Sequence, residues 1–129
     1  MKVREILTMI DQLRPNAYTD KEKIDMLNII EGRVYTDIMS KAEDGLSWTF
    51  IPFEEGQEER ELVVPAPFTD LYFYYLAMKI DFFNGDAGRY NDSIVMYNRA
   101  WDDYAAYYRE HNKPIQTNLT GMIPHGRGW

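Results

Sequence analysis

Few residues in this chain combine the types and the spacing that chemistry needs. His111 and His125 are the only histidines, and there is no cysteine, so no thiolate nucleophile and no cysteine metal site can be built. Neither histidine sits in an HExxH-like spacing, and there is no GxSxG, Walker A or GxGxxG pattern. Asp102 and Asp103 are an acidic pair, but adjacent helix positions point about 100° apart, so the two carboxylates diverge and read as a solvated face. Asp81 is the carboxylate in the most unusual setting. It lies among Ile80, Phe82 and Phe83 beside a turn, where a buried carboxylate requires partners. Arg89, across the turn, is the expected ion-pair partner, with Asn84 and Asn91 close by. Asp81 and Arg89 are therefore read as a structural clamp. No residue is assigned a catalytic, cofactor-binding or metal-binding role.

The stretch that must position this clamp is Val64–His111. It reads as two long helices joined by a tight turn at Asn84-Gly85-Asp86. Thirteen of the nineteen aromatic residues fall between Phe68 and Tyr108, so the packing problem of the chain is concentrated here. In the second helix of the pair, Tyr90, Ile94, Tyr97, Trp101, Tyr104 and Tyr108 recur at alternating spacings of 4 and 3, which places them on one stripe. Spaced so, the tyrosines read as core rather than as a ligand box. The first helix of the pair carries Tyr72, Tyr75, Leu76, Phe82 and Phe83 at helical spacing, with Leu71, Tyr74 and Met78 beside them. A helix apolar on more than one face belongs at the centre of a domain or at a contact with another chain. Pro65 and Pro67 enforce an extended entry, Thr69 or Asp70 can cap the start, and Pro114 stops the pair.

Upstream, Val3, Ile6, Leu7, Ile10 and Leu13 mark a short amphipathic helix that Pro15 ends. Thr19 and Glu22 form a capping-box pattern, and a helix is predicted from about Asp20 to about Lys41. Its face carries Ile24, Leu27, Glu31, Val34 and Ile38. Gly32 within it is a weak spot or a close crossing. After the Asp44-Gly45 turn, Leu46–Phe53 is rich in β-formers, and Glu61–Val64 could pair with it. The expectation is a β-hairpin at about 46–64, with Pro52 on an edge strand. Its tip reads EEGQEERE, so Glu54, Glu55, Glu58 and Glu59 form either a solvated loop or a channel-facing or contact loop. The tail from about 114 to 129 is glycine-rich and without helical period. It carries Leu119, Met122, Ile123 and Trp129, apolar anchors that suit docking on a neighbouring subunit or partner, the alternatives being docking on its own domain or disorder. The fold class is thus mainly α: one domain over 1–129, with a bundle of about four helices (1–45 and 65–113), a hairpin insertion and an extended C-terminal arm.

Composition narrows the function classes. A chain of 129 residues that is 45% hydrophobic can build its own core. Its net charge of -7 argues against a basic nucleic-acid binder, while acidic walls suit a path that DNA slides through without sticking. No apolar run approaches the ~20 residues of a membrane helix. The charged start MKVREILTMIDQ does not resemble a signal peptide, and the expected place of synthesis is a cytoplasm.

From Val64 to Pro114 the chain resembles the head–tail connector (adaptor) proteins of long-tailed bacteriophages. The residues that carry the resemblance are Pro67, the run Leu71-Tyr72-Phe73-Tyr74-Tyr75-Leu76, and Lys79-Ile80-Asp81-Phe82-Phe83-Asn84. Arg89-Tyr90-Asn91-Asp92-Ser93, Tyr97-Asn98 and Tyr107–Pro114 continue it. The pattern is one of aromatics and asparagines and covers about two fifths of the chain; the hairpin segment and tail match less well. The resemblance implies a mostly helical, non-enzymatic virion protein at the head–tail joint, assembled in the host cytoplasm. It implies a homo-oligomeric ring, commonly of twelve, that binds the portal protein, receives the tail or a stopper protein, and extends the DNA channel. No cofactor is implied. The alternatives are a stopper or tail-completion protein, an acidic inhibitor that binds a host protein, and an enzyme of unrecognised type that would depend on Asp81.

Overall fold

A helix with no wide polar side has to be surrounded, and the third helix of this chain is. The computed structural model describes residues 1–42 and 48–115, and within these it is mainly helical. The α-helices are α1 (Val3–Leu13), α2 (Asp20–Arg33), α3 (Asp70–Phe83) and α4 (Ala87–His111). A π-helical turn (Val34–Ile38) and a 3-10 turn (Met39–Lys41) extend α2 to the predicted end. Leu71, Tyr72, Tyr75, Leu76, Ala77 and Ile80 of α3 are wholly buried. α3 packs along α4 on one side and against α1 and α2 on the others. Phe82 and Phe83 are the exception: they emerge at its C-terminal end, 61% and 59% exposed.

Local signals set the helix ends. Glu22 N–H donates to Thr19 Oγ1 at 3.2 Å and Thr19 N–H to Glu22 Oε1 at 3.4 Å, the reciprocal capping box read from the sequence. Gly85 takes the left-handed conformation (φ 74°) that the tight α3–α4 turn requires. Asp86 then caps α4 by accepting from Arg89 N–H at 3.0 Å. Thr69 holds the position before α3 but makes no side-chain cap bond. On α2 the predicted face is the buried one: Ile24, Leu27, Glu31, Val34 and Ile38 all face inward. Gly32 is not a crossing of helices. A Cβ there would meet the Phe50 ring at 3.5 Å, an ordinary contact.

The α3–α4 seam differs from the predicted aromatic stripe by a small rotation. The buried residues of α4 are Ser93, Ala100, Tyr104 and Tyr108, while Tyr90, Ile94, Tyr97 and Trp101 are half-buried along its flank. Two helices approach closely only where side chains are small, so Ser93 and Ala100 take the centre line, opposite a face of α3 that includes Ala77. The rings close over the sides: Tyr97 on Tyr75 at 5.4 Å between centroids, and Tyr104 and Tyr107 on Phe68 at 5.7 and 4.7 Å.

The β-hairpin expected over Leu46–Val64 does not form among the described residues, which contain only isolated bridges, Lys2 with Glu61 and Ala42 with Pro114. Its would-be strands spend their backbone groups elsewhere. Asn28 of α2 accepts from Phe53 N–H at 2.7 Å and donates to Phe53 C=O at 3.0 Å, doing the work of a strand partner. The Arg60 guanidinium donates to the carbonyls of Ile51 and Pro52 at 2.7 and 3.0 Å and lies over the Phe53 ring. The second half pairs with the start of the chain: Val3 N–H donates to Arg60 C=O, Arg4 N–H to Glu58 C=O and Leu62 N–H to Met1 C=O.

Glu31 completes this pairing from inside the core, at 2% exposure. Its Oε2 accepts from Val63 N–H at 2.8 Å and its Oε1 from the Tyr72 hydroxyl at 2.5 Å, while Tyr72 Oη accepts from Val64 N–H at 2.9 Å. Burial pushes the Glu31 carboxyl above its ordinary 4.5, against the lowering effect of the Tyr72 and Val63 hydrogen bonds. Burial first, and the Glu31 charge second, push the Tyr72 hydroxyl well above its usual range.

Tyr72→Phe strips Glu31 Oε1 and Val64 N–H of their shared partner, and is expected to cost about 2–4 kcal/mol in urea unfolding. The raised Glu31 value adds a pH signature. The folded state holds this proton more tightly than the unfolded chain does. The resulting stabilisation is complete below 4.5 and is lost as pH rises through the folded value. Glu31→Gln, able to accept from Val63 and donate to Tyr72, lacks that titration. The stability of the wild type relative to Glu31→Gln should therefore fall as pH climbs from 4.5; a difference independent of pH would contradict a raised Glu31.

Candidate functional site

Asp81 is sealed at the turn end of α3, 2% exposed. Ser93 Oγ donates to its Oδ2 at 2.7 Å, and Arg14 Nε lies 3.3 Å from its Oδ1. The Arg14 contact is an ion pair without hydrogen-bond alignment, since its buried Nε has no hydrogen-bond partner. The Arg14 guanidinium also lies over the Phe73 ring at 5.8 Å. The clamp is therefore Asp81 with Arg14 and Ser93, and the predicted Asp81–Arg89 pair is not made. Arg89 lies beside Asp86 instead, Nε to Oδ2 at 3.6 Å, with both side chains about half exposed. One helical turn separates those two residues, so Arg89 reaches its own N-cap more readily than the buried carboxylate. Asn84 turns its amide toward Pro15 C=O at 3.5 Å, and Asn91 faces solvent.

This cluster has little to offer catalysis. Asp81 lines a shallow cleft of about 290 Å³ with Phe82, Asp86 and Tyr90, but both of its oxygens are engaged. A Ser–Asp pair needs an imidazole between its members to become a nucleophile. His111 is eighteen helical positions from Ser93, roughly 27 Å along α4, where it stacks on Tyr107 at 4.1 Å. His125 lies outside the described residues. Among the described residues no group of three His, Cys, Asp or Glu side chains could hold a metal ion, and no helix is long and apolar enough to cross a membrane.

The acidic stretch Glu54–Glu61 divides in two. Gly56, at φ 88°, makes the turn, and Glu54 and Glu55 stand exposed on it. Glu59 faces the start of α1, accepting from Arg4 Nε and from Lys2 Nζ, the latter at 3.1 Å. Arg4 chiefly, and Lys2 with it, hold the Glu59 carboxyl below its ordinary range. Glu58 is half-buried, and its carbonyl accepts from Arg4 N–H. The four predicted contact acids are thus not one face: the Glu59 carboxylate and the Glu58 carbonyl tie the loop to α1, while Glu54 and Glu55 stand exposed.

Two surfaces flank the α3–α4 pair, one apolar and one of mixed polarity. At the turn end, Phe82, Phe83 and Leu13 are all more than half exposed; Phe82 meets Tyr90 at 5.5 Å and Phe83 meets Tyr18 at 6.0 Å. At the other end an open groove of about 570 Å³ is lined by Met39, Trp48, Val63, Pro65, Tyr107 and His111 among others. Tyr90 and Tyr107 are seventeen positions apart on α4, so the two surfaces lie roughly 25 Å apart. The predicted interface anchors Leu119, Met122, Ile123 and Trp129 lie outside the described residues.

Sequence reasoning gave no role to three side chains that organise this molecule. Glu31 is a carboxylate in a stripe of Ile24, Leu27, Val34 and Ile38, and an acid in such a stripe signals a buried group with partners. Lys23 is 2% exposed and pairs with Asp11 at 2.5 Å and Asp20 at 3.4 Å, joining α2 to α1. Asn28 carried no signal, because its partner is a backbone twenty-five residues away.

Substitutions separate the two clamp assignments. Arg14→Met leaves the Asp81 charge buried with Ser93 alone, and should cost about 3 kcal/mol in chemical denaturation, the low end for a broken buried pair because Arg14 is partly exposed. Asp81→Asn keeps the Ser93 contact and should cost about 2 kcal/mol. Arg89→Ala should change stability by no more than about 0.5 kcal/mol. The reverse order would restore Arg89 to the clamp. No family model, curated protein or solved structure matches this chain.

Proposed function

We propose that this chain is a non-enzymatic structural subunit of a bacteriophage virion, one of a ring of copies between the portal and the tail. The ring extends the DNA channel. The observation that carries the reading is the pair of unlike surfaces at the two ends of α3–α4: the exposed rings of Phe82 and Phe83 at one end, and the Trp48–Tyr107 groove of mixed polarity at the other. A ring joins two different faces of each subunit, so every copy must present both. Monomeric proteins seldom leave such clusters uncovered. The resemblance of Val64–Pro114 to connector proteins points the same way, and it rests on aromatics that now divide between core and these surfaces.

The charge supports the channel part of the reading. Glu54 and Glu55 stand on a turn fastened to α1 through Glu59, so their carboxylates are presented on a fixed support. Carboxylates lining a channel repel the phosphate backbone and keep DNA sliding. Leu119, Met122, Ile123 and Trp129 would engage the portal or an adjacent subunit once assembly begins.

A phage in which this gene carries an early stop codon tests the reading by electron microscopy of its lysates. The expected result is finished tails separate from heads, with the heads losing DNA. Normal infectious particles would overturn it and favour an acidic inhibitor of a host protein; full heads that retain DNA without tails would favour a tail-completion role. Removal of residues 116–129 is expected to preserve the cooperative thermal transition while lowering the assembled fraction in light scattering. Loss of the transition would make the segment part of the core.

A further inference from the structure

Beside the 3-10 turn and the last turns of α4 lies a cleft of about 210 Å³, lined by Ile38, Ala42, Trp101, Ala105, Tyr108 and Pro114 among others. It is smaller than the ~300–1,000 Å³ of small-molecule sites, and its size suits one or two apolar side chains. The chain itself runs into its mouth: Pro114 bridges to Ala42, and Ile115 N–H donates to Lys41 C=O at 3.1 Å. Residues 116–129 therefore begin at the cleft, and their first apolar side chains are Leu119, Met122 and Ile123.

Reach and tethering select the occupant. Four residues from Ile115 to Leu119 span up to about 14 Å, and eight to Ile123 up to about 28 Å. Trp101 to Asn112 measures roughly 17 Å along α4, so these side chains can arrive anywhere over the cleft without strain. A segment already fixed at the cleft mouth acts at an effective concentration of order mM, which another copy reaches only in an assembly. We propose that in the free subunit this cleft seats Leu119, Met122 and Ile123 of the same chain, strapping the 3-10 turn to α4. Assembly would then have to draw the segment out before it could engage a neighbour.

The absence of cysteine makes the test direct. Thr120→Cys in the full chain provides a single thiol for a nitroxide label. The amides of Ile38, Ala42, Ala105 and Arg109 should lose cross-peak intensity, that of Val95 should not, and ascorbate should restore the losses. Adding Ala105→Glu places a carboxylate in the cleft and should weaken the losses severalfold while leaving the Ile6 and Leu27 cross-peaks in place. In a mixture of labelled unenriched chain and unlabelled ¹⁵N chain, no loss is expected. Undiminished cleft amides in the labelled full chain without Ala105→Glu would overturn the proposal, and so would losses as deep with Ala105→Glu as without it. Losses in the mixed sample would also overturn it, by giving the segment to another copy. The inference does not rest on the ring: a seated segment in a chain that never assembles would sink the ring and leave the strap standing.

Discussion

A carboxylate sealed in the core decides where three segments of this chain meet. Glu31 projects from α2 and takes one hydrogen bond from the backbone of the irregular segment and one from Tyr72 of α3. Residues 48–64 have no strand to pair with, yet Phe53, Leu62 and Val64 are buried. Buried backbone groups without partners cost about 1–3 kcal/mol each, so something must stand in for a sheet. Asn28 and Glu31, one helical turn apart on α2, do so for Phe53 and Val63; Tyr72 does so for Val64. The first residues of the chain serve Glu58, Arg60 and Leu62. Removing Tyr72 or Glu31 leaves a buried donor or acceptor orphaned, and the contacts they share make that part of the set interdependent rather than additive.

The placement of α3 follows from this. Tyr72 can meet Glu31 only if the N-terminal half of α3 lies across α2, and that crossing turns the opposite side of α3 toward α4. The seam then closes on Ser93 and Ala100, with Tyr104 and Tyr108 buried beyond them, and Tyr90, Tyr97 and Trp101 lie along its flank. Asp81 secures the far end, drawing Arg14 at the end of α1 and Ser93 of α4 to one carboxylate. The central helix is thus held at both ends by buried acids, one bonded to neutral donors and one paired with a cation.

Much of this architecture was legible in the sequence, and what was missed has a common cause. Helix extents, the Thr19–Glu22 cap, the Asn84-Gly85-Asp86 turn and the inward face of α2 rest on periodicity and short-range chemistry, and each appears as read. The hairpin failed because Trp48, Thr49, Phe50 and Ile51 satisfy β-propensity, while the partners that capture their neighbours' backbone lie in α2 and at the chain start. Propensity is a weak prior against such long-range satisfaction. Asp81 was correctly read as a clamped carboxylate and wrongly paired. Arg89 was near in sequence, whereas Arg14 reaches the site only through the packing of α1 on α3. The aromatic stripe was misplaced by a fraction of a turn because bulk marks an apolar face, while small residues mark its centre.

The same distinction separates the part of the surface that supports the core from the part available to partners. Glu59 and Lys23 look alike in sequence to Glu54 and Lys21, yet the first two are committed to joining elements of the subunit. Exposed ion pairs are screened by solvent and contribute little to stability, so the Glu59 contacts with Lys2 and Arg4 matter more for where they put the turn than for how strongly they hold it. With that turn fixed, Glu54 and Glu55 keep a constant position relative to α1 and to the groove edge at Val63 and Pro65. A ring of such subunits would inherit a regular circle of carboxylates from the subunit fold alone, without any contact made by the acids themselves. Phe82 and Phe83 are different in kind: α3 has turns enough to bury Tyr72 through Ile80, and its last two aromatic residues extend beyond what α1 and α4 can cover. Unlike the acids, they lower the free energy only when another surface covers them.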